Sequence, residues 1–252
     1  MKVYDCNLTY GFNVSKRSHE LCETMEELCK HMKNAGLTGG LVRAVSSDTV
    51  GVNFGNDQVA SEIKNSDLDL WGAWSIVPSI TNEIPSPEEM PKLMAKNKIG
   101  ALYMNPEAHR FLAIPSVMKD YLTMADKRKI PIVFNTAWGI SINDVSNLME
   151  AFPTLTCILA YHSLWPNART NLPFLSLYPN LYLDTSYMLD DQGIEYVIGK
   201  FGADKLIHGS GFPELYIGQQ MPVVKCADIS DKEKEAILHG NFEKLMKGAD
   251  LK

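Results

Sequence analysis

Two hydrophobic periods alternate along the chain. Short apolar runs recur at residues 2–5, 40–45, 70–77, 99–104, 130–134, 156–161, 180–184 and 205–208. Several are continuous rather than alternating, as in PIVF and ILAY, which suits parallel strands covered on both faces. Helical spacing fills the gaps. Leu21, Met25, Leu28 and Met32 form one stripe, and Asn34-Ala35-Gly36 supplies a stop. Ser86-Pro87-Glu88-Glu89 reads as a capping box with proline at the first helical position. Val117, Tyr121 and Met124 form another stripe. Ser230-Asp231-Lys232-Glu233 reads as a second box, opening a last helix through about Met246. Weaker helical patterns cover 57–64, 142–151, 168–177 and 191–200.

Strands alternating with helices specify a parallel sheet, and the unit occurs eight times without a linker or low-complexity tract. The expectation is an α/β fold, a (β/α)8 TIM barrel formed by residues 1–252 as a single domain. A doubly wound open sheet is the runner-up. It would favour a glycine-rich phosphate loop after the first strand, and CNLTYG is not one.

Charge and composition narrow the partners. The net charge of −6 argues against nucleic acid, and Lys127-Arg128-Lys129 fits a solvated helix end. No apolar run is long enough to span a bilayer, and the N-terminus lacks a secretory pattern. Five cysteines, odd in number and without metal-type spacing, read as free thiols in a reducing cytoplasm. The expected setting is therefore cytoplasmic, with a small-molecule ligand and neither membrane nor nucleic acid.

In such a barrel the chemistry sits at the C-terminal strand ends. Those ends carry Asn7 and Thr9, Tyr103 and Asn105, Asn135, His162, Asp184 and Ser186, then Ser210 and Gly211. Trp138, Trp165 and Phe212 follow closely and would wall a pocket. No lysine ends a strand, which argues against a Schiff-base enzyme. No paired-carboxylate glycosidase site stands out. His208-Gly209-Ser210-Gly211 lacks the first glycine of a nucleophile elbow, and His19-Glu20 lacks the second histidine of a helical zinc motif.

Asp5-Cys6-Asn7-Leu8-Thr9, IPIVFNTAWG, FPTLTCILAYHS, YPNLYLDTS, HGSGFP and the tail SDKEKEAILHGNFEKLM occur in an order and spacing that resemble the amidohydrolase-related family. These are metal-dependent TIM-barrel hydrolases and decarboxylases, and the resemblance runs nearly end to end. It implies metal ligands at two strand-one positions, one on strand five, one on strand six and an aspartate on strand eight. Here those positions hold Asn7, Thr9, Asn135, His162 and Gly211, so only His162 survives. One imidazole with neutral amide and hydroxyl oxygens is a poor zinc site, so no metal and no cofactor are expected. The neutral ring of Asn7, Thr9 and Asn135 suits hydroxyl, carbonyl or carboxylate groups of a small ligand.

His162 is the expected general acid or base. Asn7, Thr9, Tyr103, Asn135, Trp138, Trp165 and Ser186 are the expected substrate contacts. Asp5 should point inward by alternation from Asn7, organising the strand-one end. Glu214 reads as a solvated loop carboxylate, Arg110 and Arg169 as surface cations, and His208 as packed between sheet and helix. His19, His31, His109 and His239 read as surface or helix-end residues. The expected function is a metal-independent hydrolase or lyase acting on a small cyclic or carboxylated compound. The alternative is a catalytically silent barrel that binds a small molecule or a protein. Barrels resembling this one often pair, so the resemblance allows a homodimer, but the sequence identifies no interface and does not settle the oligomeric state.

Overall fold

The computed structural model describes residues 2–12 and 21–252, so the reading of His19 lies outside the described residues. Eight parallel strands follow one another in chain order around one sheet. They are β1 (Tyr4–Tyr10), β2 (Gly39–Ala44), β3 (Asp69–Ser75), β4 (Ile99–Met104), β5 (Ile132–Asn135), β6 (Cys157–Ala160), β7 (Leu181–Asp184) and β8 (Leu206–Ile207). The ring closes through β1: Cys6 N donates to His208 O at 2.9 Å and Thr9 N to Phe212 O at 2.9 Å. This is the (β/α)8 barrel expected from the sequence.

Helices cover the outer face. In chain order they are α1 (Met25–Asn34), α2 (Ser46–Thr49), α3 (Val52–Glu62), α4 (Met90–Lys96), α5 (Pro106–His109), α6 (Pro115–Arg128) and α7 (Ile142–Ala151). Then come α8 (Ala168–Leu177), α9 (Gly193–Phe201), α10 (Gln220–Cys226), α11 (Asp231–Glu235) and α12 (Asn241–Gly248). Several boundaries differ from the pattern. Leu21 is exposed ahead of α1, which opens instead on a Thr24/Glu27 capping box. The Ser86/Glu89 bonds form, but they close a turn, and α4 begins at Met90. A π-helical turn at Ala236–Gly240 divides the last expected helix, and Ile237 O there accepts from His208 N.

Two cores result. Val42, Leu70, Leu102, Phe134 and Leu159 face outward against the helices, whereas Leu41, Ala73, Ala101, Val133 and Ile158 face the axis. Phe242, Leu245 and Met246 of α12 join the inner set and plug the N-terminal end, with Phe242 stacked on Tyr4 at 5.1 Å between centroids. The plug leaves the opposite end for chemistry. Phe242 is 1% exposed, so Phe242→Ala should cost about 3–5 kcal/mol. Urea unfolding would report the loss as a lower midpoint with an unchanged slope.

Candidate active site

A register shift between Asp5 and Leu8 sets the first strand's geometry. Tyr4 and Cys6 belong to the inner core, and past the shift Asn7 and Thr9 line the cavity at the barrel mouth. Asp5 therefore leaves the axis, contrary to plain alternation. Its carboxylate sits in the seam between β1 and β8, accepting from Asn7 N at 2.9 Å and from Ser210 N at 3.1 Å.

The C-terminal mouth is built on a second buried carboxylate. Asp184, ending β7, accepts from Asn7 Nδ2 and Ser186 Oγ at 2.8 Å each, and from Tyr161 N at 3.1 Å. Burial pushes its pKa up to about 7 against those hydrogen bonds. Tyr161 has φ of 58°, a left-handed conformation rare for a bulky residue. That turn swings its ring over the mouth, where the hydroxyl donates to Gly211 O at 3.1 Å and Glu214 Oε2 at 3.3 Å. Burial also raises the Glu214 carboxyl, partly offset by Arg43 and the Tyr161 bond.

Arg43, ending β2, is the cation of the mouth and is 8% exposed. Its Nη1 lies 2.8 Å from Asp48 Oδ1 and 3.0 Å from Ser47 Oγ, and its guanidinium stacks 4.1 Å from the Tyr103 ring centroid. Its Nε has no partner among the described residues. Asp48 also accepts from Asn105 Nδ2 at 3.1 Å and lies 3.2 Å from His109 Nε2. Burial works against the Asp48 charge, but Arg43 and His109 outweigh it and hold the carboxyl well below its usual range.

Asn7, Thr9 and Tyr103 thus share one cavity with Arg43, whereas Asn135, buried beside Tyr103, does not line it and accepts from Ala137 N at 3.0 Å. That cavity is about 10 Å³, near the space one water needs. Ser186 spends its hydroxyl on Asp184. Trp138 packs on Tyr161 at 4.7 Å and walls a neighbouring groove of about 450 Å³ with Phe111, Leu112 and Ile114. Trp165 is 77% exposed and walls neither space. His162 is buried but turned aside. Its Nδ1 lies 3.0 Å from Thr136 Oγ1, and Nε2 has no partner in bonding geometry although Asn171 lies near. Burial lowers its pKa. A wider hollow, about 930 Å³ beside Lys30, Lys33 and Asp67, lies outside the barrel and holds no strand-end residue.

Two mouth residues escaped the sequence reading, and each had a signal. Arg43 is a lone cation ending an apolar strand. Tyr161 lies one position from the histidine that drew attention. Glu214 is half-buried rather than solvated. His109 is likewise no surface residue, with a side chain 5% exposed, and His31 packs against the Phe212 ring at 5.0 Å.

The metal implied by the resemblance finds no fitting donors. Four of its five positions offer neutral oxygens or no side chain. Among the described residues no three His, Cys, Asp or Glu side chains group as ligands. Gly211, at the strand-eight position, has φ of 72°, and a Cβ there would meet the Tyr161 ring at 2.5 Å. Tyr161 fills the space the missing aspartate would need.

No protein-family model matches the sequence, and no curated protein matches it. Solved structures share the fold. An uncharacterized TIM-barrel protein from Bordetella bronchiseptica superposes with a TM-score of 0.73 at 19% identity, covering 98% of this chain and 99% of that one. A 2,6-dihydroxybenzoate decarboxylase from Rhizobium gives 0.74 at 14% identity and 98% coverage of both chains. An amidohydrolase II gives 0.73 at 12% identity, covering 98% and 100%. The chain shares the TIM-barrel fold with these structures.

The Asp184 hub yields a paired test. Asp184→Asn turns an amide toward the Asn7 amide and should cost about 1–3 kcal/mol, while adding Asn7→Asp restores donor facing acceptor and recovers most of it. A carboxyl whose pKa rises on folding takes up protons as the chain folds. Wild type therefore loses stability as pH rises from the ordinary carboxylate range through about 7, and the amide variant has no such loss. The difference between their unfolding free energies should shrink across that window, as denaturant titrations at several pH values would record.

Proposed function

We propose that this barrel works without a metal, as a lyase or hydrolase on a small cyclic or carboxylated compound bound at its mouth. One juxtaposition carries the reading: the buried Arg43 guanidinium and the half-buried Glu214 carboxyl lie near enough for each to feel the other's charge. Perturbed groups of opposite charge in a shared recess are a functional-site pattern. The Nε and Nη2 edge of Arg43 is left for a substrate carboxylate, because both of its polar contacts use Nη1. Glu214, its carboxyl raised by burial, is the group positioned to exchange a proton with the reacting atom, with Tyr161 fixing its Oε2. Asn7, Thr9, Tyr103 and Asn135 orient the compound, and Trp138 lines its approach. The geometry favours Glu214 over His162 as proton carrier, because the His162 ring bonds Thr136 instead. The similarity to a decarboxylase and to an amidohydrolase II is in keeping with either reaction class.

The narrowness of the cavity favours a second reading, a silent barrel whose mouth is filled by its own side chains. Turnover separates the two. Chelator-treated protein should convert a member of a panel of cyclic and aromatic carboxylates. Glu214→Gln should lower kcat by about 100-fold or more with little change in binding, the size expected for a lost acid–base group. Arg43→Lys keeps the charge but lacks Nε, and should weaken binding about tenfold. His162→Ala should leave kcat within a few-fold. Full activity in Glu214→Gln, or activity abolished by the chelator and restored by metal, would refute this mechanism. A ligand recovered unchanged after long incubation would leave the silent barrel standing.

A further inference from the structure

We propose that the cleft outside β2, β3 and β4 is a phosphate-binding site. The cleft is about 270 Å³ and is lined by Thr49, Gly51, Val52, Thr81, His109 and Arg110, among others. It lies beside the barrel mouth, and the proposal does not rest on the mouth's activity.

The first support is the open N-terminus of α3, an 11-residue helix preceded by Gly51 and capped by no side chain. Phe54 N is taken by Asn53 Oδ1 at 2.8 Å and Gly55 N by Gly51 O at 3.0 Å. No acceptor among the described residues takes the Val52 and Asn53 N–H groups. These are orphan donors at the positive end of a helix dipole. Nothing local demands a glycine before them. Gly51 is extended, with φ of 168°, and a Cβ there would meet only Asn53 Oδ1, at 3.3 Å. Serine or aspartate, the usual caps, would fit and would close the helix end. Glycine leaves it reachable.

The second support is independent. His109 lines the cleft with a side chain 5% exposed. Its Nε2 lies 3.0 Å from Ser47 O and 3.2 Å from Asp48 Oδ1. Both are acceptors, so Nε2 carries the proton in the neutral ring and Nδ1 is an acceptor. Nδ1 is buried without a partner among the described residues, and a buried acceptor without a donor costs free energy until something supplies one. The guanidinium of Arg110, exposed at the same cleft, makes no ion pair among the described residues.

An occupant must therefore accept from two backbone N–H groups and Arg110 while donating to His109. The monohydrogen form of inorganic phosphate does both at neutral pH, and a phosphate monoester, whose last proton leaves near pH 6, does both once it takes up that proton on binding. Sulfate has the same shape and no proton to give at neutral pH. Glu83, the other lining carboxylate besides Asp48, disfavours a fully ionised anion and so also selects the protonated form. The negative charge of Asp48 is already countered by Arg43.

The test follows the Val52 and Asn53 amides of the full-length protein by NMR as inorganic phosphate is added, with sulfate, glycerol phosphate and phenyl phosphate in parallel. Saturable shifts at both amides are expected, with sulfate binding at least tenfold more weakly. A monoester binding more tightly than inorganic phosphate would identify a phosphorylated metabolite as the ligand source, and the reverse order would identify free phosphate. Gly51→Asp supplies the missing cap. It should raise the thermal midpoint by a few degrees and weaken phosphate binding by tenfold or more, two effects of opposite sign. Arg110→Ala, at an exposed side chain, should weaken binding several-fold with the fold unchanged. Shifts that never saturate, sulfate binding as well as phosphate, or Gly51→Asp binding like wild type would each overturn the proposal.

Discussion

The buried ion pair of Arg43 and Asp48 is the interaction on which the barrel mouth depends. Taking two charges out of water costs several kcal/mol per ion, and their attraction repays it only when the remaining donors and acceptors are also used. Here most of them are. Asp48 receives the Arg43, Asn105 and His109 contacts, while Arg43 also reaches the Ser47 hydroxyl and the Tyr103 face. One pair therefore ties the ends of β2 and β4 to α2 and α5. It also fixes what the mouth can recognise, because Nη1 carries both polar contacts of the guanidinium and leaves Nε and Nη2 without an acceptor among the described residues. Residues that look unrelated in sequence hold their positions because neither charge tolerates losing a partner.

The fold was legible because parallel strands buried on both faces must be apolar throughout, and that pattern survives without any knowledge of neighbours. The runs ending at Met104 and Asp184 keep those ends in the structure. The convergence of strand ends was legible too, since strands in a barrel end at one mouth, as Asn7, Thr9 and Tyr103 do around one cavity. What escaped depended on backbone departures that alternation cannot show. The shift between Asp5 and Leu8 sends Asp5 into a seam, and the left-handed Tyr161 exchanges the inward place with His162. Glu214 and His109 escaped for another reason. Their partners, Tyr161 and Asp48, lie 53 and 61 residues away in sequence.

Those departures bear on how the mouth manages charge at positions where similar folds imply a metal. Asp5 and Asp184 remain as buried carboxylates, and Asp5 raises the pKa of Asp184. A divalent ion would ordinarily balance such a pair. In this chain the balance comes from backbone N–H groups, the Asn7 amide, the Ser186 hydroxyl and a proton that Asp184 releases only near neutrality. The bond from Asn7 to Asp184 explains why an amide suits that place: it donates to the carboxylate while adding no charge. Gly211 and Tyr161 form the complementary half. The ring occupies the volume that a strand-eight side chain would fill, and its hydroxyl holds Glu214 in return. A single Gly211→Asp reversion would therefore collide with Tyr161 and would still lack the imidazoles of strands one and five. Regaining a metal site requires several coordinated changes. Among the described residues the mouth offers, in place of such a site, the buried Arg43 guanidinium and the raised carboxyls of Asp184 and Glu214.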